Sequence, residues 1–149
     1  MTDESRVVFA GADTHRDTIH VAVVDELGRH LGDREFPTTS SGYTAAIAFV
    51  SAYGQLDAVG VEGTASYGAG LATALREAAI TVVEINQSDR AERRRRGKSD
   101  PIDAYAAARA AAAGRATATP KTRDGAVEAI RVLHVARASA VKARTQTIN

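Results

Sequence analysis

The sequence predicts an α/β domain, a mixed five-stranded sheet flanked by helices, followed by an extended C-terminal helix. Three observations lead there. Residues 7–36 hold three β-prone runs joined by connections too short for a helix. Residues 37–85 then alternate helical and β-branched stretches, which asks for a parallel half of the sheet. Beyond residue 100 the pattern is helical throughout, alanine-rich at first and then with a seven-residue repeat.

Val7 to Ala12 is a short apolar strand that ends at Asp13, just before a Thr14–Asp17 turn. Thr18 to Val24 is the second strand, Glu26-Leu27-Gly28 supplies a turn, and Arg29 to Phe36 is the third, so the first half is an antiparallel meander. Pro37 to Gly42 breaks the pattern and offers Ser40 or Ser41 as a helix cap. Ala45, Ala46, Ile47, Phe49, Val50 and Tyr53 then follow at helical spacing. Ala58 to Val61 is a fourth strand leading straight into Glu62, and Gly63 to Gly68 is a loop. A helix from about Tyr67 to Ala79 precedes a fifth strand, Thr81 to Ile85. Residues 101–114 form an alanine-rich helix, with Asp100 suited to its N-cap and Pro101 to its first turn. Asp124 caps a last helix in which Val127, His134, Val141 and Ile148 recur every seven residues, a narrow stripe of the coiled-coil kind. The expected division is an α/β domain at 1–114, a linker at 115–123 and the start of a coiled-coil helix at 124–149.

Composition bounds the chemistry. The chain has 149 residues, enough for one domain with a real core. It contains no cysteine, which excludes disulfides and thiolate metal sites. No apolar run approaches the ~20 residues of a membrane span, and Met1-Thr2-Asp3-Glu4 is not a secretory signal, so a cytoplasmic protein without membrane partners is expected. The net charge of +1 hides a separation: residues 1–89 carry 13 acids and 5 bases, or −8, leaving 5 acids and 14 bases, or +9, for residues 90–149. A polyanion would meet the second part, while carboxylates gather in the first.

The densest positive block is Arg93, Arg94, Arg95 and Arg96 with Lys98, and it runs directly into Asp100 and Asp103. Residues three apart on a helix share a face, so these two carboxylates point the same way. Asp13 and Glu62 each close a strand, and ligands of α/β sheets collect at the carboxyl ends of strands. Four such acids form an oxygen-rich set of the kind Mg²⁺ or Mn²⁺ prefers, and without a cation they would repel one another. Arg16 is a candidate phosphate contact, as are Arg93 to Arg96 and Lys98; alternatively the basic run is a solvated loop. His15 could touch a phosphate or orient a metal ligand. His20 reads as a packed strand residue, and Tyr67 either stacks on a base or covers the core.

The segments Gly11–Thr18, Val59–Gly68 and Arg94–Asp103 resemble the DEDD-type, Piv-related insertion-sequence transposases, the family numbered one-ten. Arg144 to Asn149 is similar to that family's Arg-Thr-x-x-x-Asn stretch, and the resemblance covers nearly the whole chain. It implies a ribonuclease H-like, RuvC-like fold whose four acids, falling on Asp13, Glu62, Asp100 and Asp103, are both catalytic and Mg²⁺-binding. It also implies DNA strand cleavage and exchange during transposition, with DNA at element ends and target, a structured guide RNA and a homo-oligomer as partners. Family members continue through a coiled coil into a C-terminal domain that contributes a serine, so this chain is expected to be a fragment with weak or no activity alone. Two other function classes compete. One is a non-catalytic nucleic-acid-binding or oligomerisation module. The other is an actin-like ATPase, disfavoured by a first turn without glycine and by the lack of a second domain.

Overall fold

A computed structural model describes residues 6–85, 100–114 and 125–148. Its sheet contains β1 (Val7–Thr14), β2 (Thr18–Asp25), β3 (His30–Pro37), β4 (Gln55–Glu62) and β5 (Thr81–Ile85) in the spatial order β3-β2-β1-β4-β5. The meander pairs antiparallel, whereas β4 and β5 lie parallel to β1. Helix α1 (Ser40–Ser51) links β3 to β4, and α2 (Ala69–Glu77) links β4 to β5. Helix α3 spans Asp100–Ala112, and α4 spans Gly125–Ile148. This is the mixed α/β sheet of a ribonuclease H-like fold, with the C-terminal helix in place.

Strand alternation explains the layering. Val8, Ala10 and Ala12 of β1, with Ile19, Val21 and Val23 of β2 and Val59 and Val61 of β4, point to one face. There they pack on Ala46 and Val50 of α1 and on Leu71, Ala72 and Leu75 of α2. At the edge strand, Phe36 joins the same core through Phe49, whose ring is 5.6 Å away. The intervening residues face α3. Ala22 and Val24 of β2 pack there with Ala104, Tyr105 and Ala108, and Phe9 of β1 closes the cluster. Strands covered on both faces read as nearly continuous apolar runs, as β1 and β2 do.

The second face is built on small residues. A Cβ on Gly11 would collide with the backbone of Ala104 and Ala108, and one on Gly60 would come within 2.6 Å of the Ala107 carbonyl. Two glycines on adjacent strands therefore let an alanine-faced helix lie directly on the sheet, and Ala104, Ala107, Ala108 and Ala111 are all buried. Alanine loses no side-chain entropy in a helix, and at this range its backbone makes many dispersion contacts. The alanine run fits α3 closely to the sheet, which fixes where its N-terminus falls.

Several expectations shift by a few residues. Thr39, rather than Ser40 or Ser41, caps α1: its hydroxyl accepts the Gly42 N–H at 3.1 Å. Asp13 is the penultimate residue of β1 and Glu62 the last of β4, so both strands extend beyond the apolar runs. Helix α2 begins at Ala69, so Tyr67 stays in the preceding loop. The proposed linker at 115–123, the Asp124 cap and the basic run Arg93 to Arg96 with Lys98 lie outside the described residues. In α4, Ile130, Leu133, His134 and Val141 are exposed.

Candidate metal centre

Two strand ends and one helix start converge. The parallel register of β1 and β4 runs to the pair Ala12 and Val61, so Asp13 and Glu62 are the next residues along the two strands. The Thr14 hydroxyl donates to the Glu62 carbonyl at 2.9 Å and ties the two ends together. After Glu62 the chain must reverse at once, which Gly63 permits with φ of +64°. Because Asp13 alternates with Ala12, it projects to the face that α3 covers, and α3 begins at Asp100. The first turn of α3 thus delivers Asp100 and Asp103 to that end of the sheet, where the helix dipole favours carboxylates.

His15 links the elements. Its Nε2 lies 3.1 Å from Asp13 Oδ2 and 3.4 Å from Asp100 Oδ1. One ligand atom from each of Asp13, His15 and Asp100 lies within 4.8 Å of the others. The turn that carries His15 is held by its own N–H donating to the Thr18 carbonyl at 2.9 Å, and by the Thr38 hydroxyl donating to the His15 carbonyl at 3.3 Å. Asp13 is only 5% exposed. Burial raises the pKa of its carboxyl; the nearby imidazole pulls it back down, while Asp103 and Asp100 push it up further. The net direction is upward, the mark of an acid placed among other acids in a partly dry site.

Of the four predicted acids, Asp13 and Asp100 share this cluster directly. Asp103 is buried on α3 and near enough for its charge to act on Asp13. Glu62 is half-buried at the end of the neighbouring strand and is not a member of the three-residue group. Arg16 is exposed in the turn, 3.9 Å from Asp17. Tyr67, in the loop that follows Glu62, is 55% exposed, so it does not cover the core. The addition to the four-acid motif is His15, whose sequence signal was its place two residues beyond Asp13.

A second polar group steadies α3 on the far side of the site. Asp33 of β3 accepts from Tyr105 at 3.0 Å and pairs with His20 Nε2 at 2.6 Å. The His20 bond leads in holding the Asp33 carboxyl below its ordinary range, burial opposes it, and the Tyr105 bond adds to the lowering. Burial and this carboxylate push the Tyr105 phenol up to about 12. His30 stacks on Tyr105 with centroids 3.6 Å apart, and Arg109 contacts His30 and donates to the Gly28 carbonyl at 3.3 Å. His20 is therefore a half-buried structural partner, in keeping with its strand position.

The donor set fits a divalent cation. A cation with bonds of about 2.1 Å keeps its ligand atoms no more than about 4.2 Å apart, so a spread within 4.8 Å needs little closure. Carboxylate oxygens suit Mg²⁺ and Mn²⁺, and one imidazole is compatible with the latter. No helix among the described residues is long and apolar enough to cross a membrane. Comparison with curated proteins returns no match. A family model for DEDD transposases of the IS110 type, described as "Transposase", matches residues 10–149. That span takes in both strand-end acids, the basic run, the start of α3 and all of α4, and the chain belongs to the IS110-type DEDD transposase family.

Proposed function

We propose that residues 1–114 are the metal-dependent catalytic domain of this insertion-sequence transposase, joined through 115–123 to a helix at 124–149 that serves assembly. The observation that carries the reading is the meeting of Asp13 and Asp100, from opposite ends of the domain sequence, on either side of His15. Asp13, Glu62, Asp100 and Asp103 would hold Mg²⁺ or Mn²⁺, which supplies charge stabilisation for the attacking and leaving oxygens of phosphoryl transfer. The protein's own part is positional. The buried Asp13 presents a carboxylate whose direction His15 sets, and α3 carries two more on a helix anchored to the sheet along its length. Arg16, exposed in the adjacent turn, and Arg93 to Arg96 with Lys98 bind phosphates flanking the reacting bond. The proposed partners are DNA at element ends and target, a structured guide RNA and further copies of the chain; the charge separation along the sequence supports the nucleic-acid part.

The test is binding of duplex and branched DNA by fluorescence anisotropy, with and without Mg²⁺, in wild type and Asp13→Asn. Binding strengthened by Mg²⁺ in the wild type alone supports the reading. Binding that ignores both the metal and the substitution would reduce the chain to a basic binding module. Nucleotide hydrolysis in a parallel control would favour the ATPase alternative.

A further inference from the structure

We propose, building on that reading, that His15 is itself a ligand of the divalent cation, and that the mixed imidazole–carboxylate centre it forms with Asp13 and Asp100 prefers Mn²⁺ to Mg²⁺. Three observations converge on His15. Its Nε2 already faces one oxygen of each carboxylate, at 3.1 and 3.4 Å, so it occupies the space between them. One ligand atom from each of Asp13, His15 and Asp100 lies within 4.8 Å of the others, a compact mixed triplet. The backbone on both sides of the ring is pinned, through the His15 N–H to Thr18 and the Thr38 hydroxyl to the His15 carbonyl. The side chain is 38% exposed, which leaves a path for a cation to enter.

The other histidines near α3 are differently placed. His20 is bound to Asp33, and His30 is stacked on Tyr105, both in the cluster that anchors the helix. Ligand chemistry then sets the preference. Mg²⁺ demands oxygen donors in near-ideal octahedral geometry, whereas imidazole nitrogen is a better donor to metals further along the first transition series, of which Mn²⁺ is the hardest. A centre with one nitrogen and two carboxylate oxygens moves selectivity from Mg²⁺ towards Mn²⁺. The competing arrangement is a His15 that only bridges the two carboxylates and is displaced when a metal enters.

The experiment uses the full 149-residue chain, with Mn²⁺ and Mg²⁺ themselves as probes. Isothermal titration calorimetry gives the affinities of wild type, Asp13→Asn, His15→Ala and His15→Gln. Pulsed electron paramagnetic resonance of bound Mn²⁺ detects coupling to imidazole ¹⁴N. The expected result is ¹⁴N coupling in the wild type that disappears in His15→Ala, a Mn²⁺ affinity lowered about tenfold and a Mg²⁺ affinity changed by less than about threefold. His15→Gln, which keeps a polar side chain of similar reach, should lose the coupling while retaining the wild-type circular dichroism spectrum. Mn²⁺ that binds and is lost in Asp13→Asn, yet shows no ¹⁴N coupling or binds His15→Ala as tightly, would overturn ligation by His15 and leave the catalytic reading standing. Failure of the wild type to bind Mn²⁺ would overturn both.

Discussion

Two aspartates show how position decides the energetics of one residue type. Asp13 is buried, and burial raises its pKa ahead of the neighbouring charges. An acid whose folded pKa is raised costs stability when ionised at neutral pH, and the cost disappears as pH falls through that pKa. Asp13→Asn should therefore stabilise the metal-free chain, read as a higher Tm in the presence of EDTA, while abolishing metal binding. A lower Tm would mean that the carboxylate is structural. Asp25 behaves oppositely. Burial would raise it, but the Arg29 N–H at 2.9 Å, Arg29 Nε at 2.6 Å and the Leu27 N–H at 3.0 Å hold it below its ordinary 3.8. That contribution is complete above pH 3.8 and is lost as pH falls through the lower folded value. Asp25→Asn should accordingly unfold at lower urea than wild type at pH 7, and the gap should narrow in acid. Neither behaviour is legible in the sequence, where each residue simply ends a β-prone run. Both are buried; the hydrogen bonds that a tight turn brings to Asp25 separate them.

The elements were mostly legible, because their boundaries are written in local chemistry. β-branched runs mark the strands and alanine marks α3, while Thr39 caps α1 in place of the two serines because a cap depends on backbone direction. What the linear pattern does not reveal is why the alanines are there. Gly11 and Gly60 are strand residues whose missing side chains let α3 touch the sheet, a match between distant segments. Gly11→Ala should destabilise the domain by about 1–3 kcal/mol and weaken metal binding together, since α3 must lift and take Asp100 and Asp103 with it. Urea denaturation and calorimetry check the two effects; a loss of stability with intact metal affinity would show that α3 is not the lever. Ala79 offers a contrasting change. It sits at φ of +58° just beyond α2, where the Ile80 N–H donates to the Leu75 carbonyl at 2.9 Å. Ala79→Gly should raise stability by about 0.5–1 kcal/mol and leave the metal site untouched, as measured by Tm.

At the scale of the molecule, a negative sheet domain gathers carboxylates at one end, and a positive C-terminal part follows it. If the five cations at Arg93 to Arg96 and Lys98 each contact a phosphate, raising salt from 50 to 200 mM should weaken DNA binding roughly 500-fold, with about 0.9 ions released per contact. A flat salt profile would remove the basic run from the interface. The sequence placed Asp13, Glu62, Asp100 and Asp103 at the carboxyl ends of strands and the start of a helix, and the fold puts them at one end of the sheet. It could not rank their proximity, nor show that His15 stands between Asp13 and Asp100, because those distances arise only when α3 docks. The proposed chemistry depends above all on this convergence being a metal centre. Crystals soaked in Mn²⁺ and measured at a wavelength with strong manganese anomalous signal test it most directly. A peak within bonding distance of Asp13 and Asp100, absent in Asp13→Asn crystals, is the predicted result. No peak at the cluster under saturating Mn²⁺, or a peak unchanged by Asp13→Asn, would contradict it.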